Sequence, residues 1–127
     1  MNKDETKKIF KALEALEEAQ SDFSYIFQHA INKEVKKHLS NKQKKDETLR
    51  EFYEDSSNEA SWDLIYRISN PDDTKRDPFH HAIYKEEKEA ILNEIIKQWA
   101  REIKDESIAD AKKWHERETE RETENAQ

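Results

Sequence analysis

The sequence predicts an all-α protein, and three observations predict it. None of its 127 residues is glycine, the residue that supplies the positive-φ positions of tight hairpins, bulges and phosphate-cradling loops. Its large apolar residues recur at steps of three, four and seven, which is the spacing of one helical face. Serine and aspartate stand where such series begin, as N-caps do. The expected architecture is an antiparallel helical bundle of about four main helices, the first and last the longest, with a charged C-terminal tail.

The first series runs Ile9, Leu13, Leu16, Phe23, Phe27, Ala30, Ile31, Val35, Leu39 and skips only Gln20. It predicts one continuous helix from about Lys3 to Leu39, with Ser21–Asp22 as the place for a kink. At ~1.5 Å per residue such a helix would span about 50 Å, too long for one compact bundle of this size. It must therefore kink, protrude or pair with a second copy.

Ser40-Asn41-Lys42-Gln43 has the capping-box pattern and predicts a short helix through Leu49, Phe52 and Tyr53. Ser56-Ser57-Asn58-Glu59 repeats the pattern and predicts a third helix carrying Ala60, Trp62, Leu64, Ile65, Tyr66 and Ile68. Pro71 sets its end near Asn70, and residues 70–77 read as a loop. Asp77-Pro78 combines an N-cap with proline at the first helical position. It predicts a fourth helix through Phe79, Ile83, Tyr84, Ile91, Leu92, Ile95, Ile96, Trp99 and Ile103, continued or restarted at Ser107 through Ile108, Ala111 and Trp114. Residues 1–114 thus form a single helical domain. Residues 115–127, with Glu-Arg-Glu-Thr twice in succession, form a charged tail, disordered or a solvated helix end.

Composition narrows the function classes. Charged residues make up 42% of the chain, the net charge is −7 and there is no cysteine. Disulfides, thiolate metal sites and cysteine nucleophiles are excluded, and glycine-rich nucleotide loops go with the missing glycine. The N-terminal residues lack an apolar signal region and no apolar run reaches membrane-spanning length, so a cytoplasmic protein with no membrane attachment is expected. Leu, Ile, Val and Phe number only 23, a sparse core. A homodimer, or a monomer completed by a protein partner, is the expected remedy.

The charge is segregated. Lys33 to Lys45 holds six lysines (Lys33, Lys36, Lys37, Lys42, Lys44, Lys45) against one glutamate. Lysines at a helix C-terminus satisfy the macrodipole. They also suit contact with a phosphate backbone or an acidic protein, without the arginine that bidentate base reading needs. Residues 46–74 hold nine acids and two arginines, mixed with Phe52, Tyr53, Trp62 and Tyr66. This stretch resembles in outline the small acidic helical proteins that mimic nucleic-acid charge, although 30 acids against 23 bases is a smaller excess than theirs. Trp62 and Trp99 read as core. Trp114, beside the polar tail, reads as an exposed anchor for a partner or a second subunit.

His80 and His81 fall in the first turn of the expected fourth helix, with Asp77/His81 and His80/Tyr84 each sharing a face. No further metal ligand can be named beside them, and no metal or other cofactor is expected. The pairs Glu14/Glu17, Glu51/Glu54 and Glu102/Asp105 each place two acids one turn apart. In class and pair spacing the chain resembles the all-α nucleotide pyrophosphohydrolases of the MazG and dimeric dUTPase type, which hold Mg²⁺ on a phosphate chain with such pairs. Theirs lie on two successive helices close in sequence, whereas Glu17 and Glu51 here are far apart.

The leading expectation is a small acidic helical protein that acts by binding another macromolecule, as a regulator, adaptor or inhibitor. One alternative is a Mg²⁺-dependent nucleotide hydrolase of the type just named. The other is nonspecific nucleic-acid binding through the basic segment.

Overall fold

The computed structural model describes the backbone of residues 3–16 and 18–126, and their side chains except at 71, 73, 74 and 123–126. It is all-α, 84% helical, and no strand occurs among the described residues. Helix α1 spans Lys3–Glu14, α2 Gln20–Lys37, α3 Asn41–Lys44, α4 Glu47–Ser69 and α5 Lys85–Ala126, with a 3₁₀ turn at Pro71–Arg76. Helices α2, α4 and α5 pack against one another as the central unit, and α1 lies against α2 and α5.

The continuous first helix is not formed. Ala19 leaves the helical region at φ −141°, ψ 58°, and the chain turns between α1 and α2. This corner lies upstream of Ser21–Asp22. It folds α1 back so that Ile9 and Phe10 enter the same core as Phe23, Phe27 and Ile31. The stripe read along one long helix is thus buried within a single chain: Leu16, Phe23 and Phe27 are all covered by the chain's own helices.

Two further boundaries differ from expectation. The Ser40 capping box forms, with Gln43 N donating to Ser40 Oγ at 3.1 Å and Ser40 N to Gln43 Oε1 at 2.9 Å. Yet α3 is one turn, and Asp46 then starts α4 by accepting from the Thr48 and Leu49 amides at 3.1 and 3.2 Å. The Ser56 pattern does not cap anything, because α4 runs through it. The second difference concerns Asp77-Pro78, which makes only a turn, with Phe79 N bonded to Asp77 Oδ1 at 2.8 Å. Phe79 plugs into the core, but α5 begins at Lys85. Apart from Ala82, residues 78–84 are poor to middling helix formers, whereas Lys-Glu-Glu-Lys-Glu-Ala is a strong run with acids at the positive end. Glu87 reaches back to accept from the Ile83 amide at 3.3 Å and closes this start. Helix α5 then continues through Ser107 without a restart.

The α2–α4 contact is polar at its centre. Ser61 Oγ donates to Asn58 O at 2.7 Å, so Ser24, at 2.7 Å, donates to Ser61. Gln28 Nε2 donates to Ser24 Oγ at 2.9 Å and to Asn58 Oδ1 at 3.0 Å. One turn on, Ser57 Oγ meets Asn32 Oδ1 and the Tyr53 carbonyl. Ser24, Ser57 and Ser61 are all buried. Their small side chains allow close approach, and each of the three buried hydroxyls has a hydrogen-bond partner, which burial demands.

Two stability outcomes follow. Phe23→Ala should lower the free energy of unfolding by about 3–5 kcal/mol in a urea titration, the range for a fully buried phenylalanine. Ser107→Ala should be neutral or stabilising, by up to about 1 kcal/mol, because the buried Ser107 hydroxyl has no hydrogen-bond partner among the described residues and its desolvation is uncompensated.

Candidate binding surfaces

The two aromatic faces of the bundle carry opposite charge. On α4, Glu51, Asp55, Glu59, Trp62 and Tyr66 fall within roughly 80° of one another at 3.6 residues per turn, and all are exposed. That arc holds no lysine or arginine. Arg50 and Arg67, the basic residues of α4, flank it, Arg50 at 4.0 Å from Glu54 and Arg67 at 3.1 Å from Asp63. Trp62 is 42% and Tyr66 56% exposed. With Ile65 beneath them they edge a notch of about 510 Å³ between α4 and the start of α2. Trp62 is therefore not core: it stands on the solvent side of the helix, while Leu64 and Ile65 supply the buried contacts.

The second face is basic. Between α1 and α2 lies a cleft of about 540 Å³, lined by Lys8, Tyr25, His29, Lys33 and Lys36 among others, over Ile9 and Ala30. Tyr25, His29, Lys33 and Lys36 again share roughly 80° of one helix. Tyr25 is 64% exposed and meets the His29 ring edge-on, centroids 4.7 Å apart. Lys33 Nζ binds Glu5 of α1 across the cleft. This bond is the chief reason the Glu5 carboxyl sits below its ordinary range.

Each lysine of the sequence-predicted basic segment is exposed, but the six are not equivalent. Lys33 bonds to Glu5 and Lys37 to Glu34 at 3.3 Å. Lys36 enters the cleft, and Lys42, Lys44 and Lys45 stand on and after α3. Sequence reading missed Lys8, which is remote in the chain and reaches the site only because of the α1–α2 corner. It also passed over Tyr25 and His29, whose four-residue spacing on the polar side of the α2 stripe was the available signal.

Trp114 is 42% exposed, as its place next to the tail suggested, and its ring meets His115 edge-on with centroids 5.2 Å apart. His115 Nε2 lies 2.9 Å from Asp46 Oδ2 and ties α5 to the start of α4. Burial pushes the Asp46 carboxyl up. The bond to His115 and the Leu49 and Thr48 amides together outweigh it, so the group ends below the ordinary aspartate value of 3.8.

His80 and His81 are exposed in a turn, their rings edge-on to each other at 4.8 Å. The helix-face sharing expected with Asp77 and Tyr84 is absent because no helix forms there. Glu51 and Glu54 lie on the surface of α4, Glu102 and Asp105 on that of α5, and Glu17 lies outside the described residues. Among the described residues no three histidine or carboxylate groups converge on a metal position, and no helix is long and apolar enough to cross a membrane. Comparison of the chain with protein-family models, curated proteins and solved structures finds no match.

Asp46 offers a direct measurement. Asp46→Ala should cost about 1 kcal/mol, the usual worth of an N-cap, and Asp46→Asn less, since the amide oxygen still accepts from the helix. The native pKa is depressed, so the carboxylate's contribution is fully present above its unfolded-state value and is lost as pH falls through the lower native value. In urea titrations the gap between wild type and Asp46→Ala should therefore be larger at pH 7 than in acid, narrowing once the pH falls below the ordinary aspartate value of 3.8.

Proposed function

We propose that this protein works by binding a protein partner through the exposed face of α4. The observation that carries the reading is the pair Trp62 and Tyr66, both exposed, set in an arc with three carboxylates and no basic residue. A folded chain with few large apolar residues leaves two of its largest ones on the surface, one turn apart and over a shallow notch. Tryptophan and tyrosine are the residues that most often anchor protein contacts. The flanking acids add long-range attraction for a positively charged partner and disfavour an acidic one.

The partner this face fits is a basic segment with at least one apolar side chain to enter the notch beside Ile65. Trp114 lies on another helix and serves as a second, smaller contact. A second copy of the chain is an alternative occupant, and light scattering at high concentration separates it from a different protein.

Affinity capture from native extract, at low and raised salt, tests the reading. A partner retained by wild type should be lost with Trp62→Ala/Tyr66→Ala, each substitution weakening binding by about 2 kcal/mol if the residues are anchors. Trp114→Ala should reduce recovery less. Equal recovery by the double variant and wild type would overturn the assignment of this face.

A further inference from the structure

The α1–α2 cleft is a separate site, and we infer that it binds a phosphorylated aromatic base, as a free nucleotide or as one unit of a single strand. Its walls supply the two things such a ligand needs. Tyr25 presents a largely open ring, steadied edge-on by His29, and base-on-ring stacking needs an unobstructed face. Lys8 and Lys36 stand at the same cleft from different helices, and neither pairs with a carboxylate among the described residues. Lys33 is held by Glu5, so it braces α1 against α2 and leaves two ammonium groups for phosphate.

The floor of Ile9, Ala30 and the half-buried Ile26 is apolar, which suits the body of a base and not a bare inorganic anion. The cleft volume of about 540 Å³ is in the range of small-ligand sites. A duplex would leave Tyr25 nothing to stack on, because its bases are paired and enclosed. Arginine does not line the cleft, so recognition would be of ring and charge and not of sequence. This site shares no residue with the α4 face, and either can fail without the other.

The experiment is fluorescence anisotropy of an end-labelled oligothymidylate of about ten nucleotides, titrated with the full chain at low salt. Competitors are thymidine monophosphate, inorganic phosphate and polyglutamate. Wild type should bind saturably, and affinity should fall with salt at a log–log slope of about −1.4, the value for two phosphates on a single strand. Tyr25→Ala should weaken binding at least five-fold, the low end for loss of one stacked base. Lys8→Glu/Lys36→Glu should abolish it. The charge-matched Lys44→Glu/Lys45→Glu, outside the cleft, should bind within about two-fold of wild type. All the substituted residues are exposed, and circular dichroism confirms that each variant keeps its helices.

If thymidine monophosphate competes as well per nucleotide as the strand does, the ligand is a free nucleotide. If it competes poorly, the ligand is a strand. Either outcome upholds the site. Absence of binding, equal weakening by the two lysine double variants, insensitivity to Tyr25→Ala, or competition by inorganic phosphate or polyglutamate as effective as that of the strand would each overturn it.

Discussion

The hydrogen-bonded ladder between α2 and α4 is the constraint on which the rest of the bundle depends. Ser24 meets Ser61, Gln28 meets Asn58 and Asn32 meets Ser57. Residue numbers rise on one helix as they fall on the other, so the ladder fixes both antiparallel direction and register. A slide by one turn would break the Ser24–Ser61, Gln28–Asn58 and Asn32–Ser57 bonds together, each with a net worth of about 0.5–1.5 kcal/mol. An apolar contact of the same size would tolerate such a slide far better. With α2 and α4 locked, the groove that receives Leu92, Ile96 and Ala100 of α5 is set, and Phe27 meets Trp99 edge-on at 5.9 Å.

Much of this was legible in the sequence, and what was not has a common cause. The helical periodicity, the Ser40 capping box, the stop before Pro71 and the missing glycine act locally, and all are visible in the structure. The ladder was not legible. Ser57 looks like part of a cap when neighbouring sequence is all one has, and only the opposing Asn32 makes it interior. The corner at Ala19 is a similar case. Nothing in Glu-Ala-Gln announces a turn, and the break exists because a straight helix could not bring Ile9 and Phe10 to the core. Asp77-Pro78 failed for a different reason. Asp77 bonds the Phe79 amide as a cap would, but it starts only a turn, because the residues that follow, Ala82 apart, propagate a helix poorly.

The binding surfaces divide in the same way. The acidic, aromatic character of α4 was visible as composition. That Trp62 faces outward was not, since tryptophan among isoleucines and leucines at helical spacing reads as core. The basic cleft draws Lys8 from one helix and Lys36 from another, so no window of sequence contains it. The two faces sit on the helices joined by the ladder. The register that serves stability therefore also fixes where the opposite charges stand.

Helix α5 is continuous from Lys85 to Ala126, yet among the described side chains the last buried one is Ala111. Unbroken backbone geometry does not make it one cooperative unit. Its first part opens only when the core around Leu92 and Ile96 opens. From Lys112 onward no described side chain is buried, and the His115 side chain is tied to Asp46 at the start of α4. Fraying of a solvated helix end costs little free energy, so amide hydrogens on this one rod should exchange with solvent deuterium at rates that differ by orders of magnitude along its length.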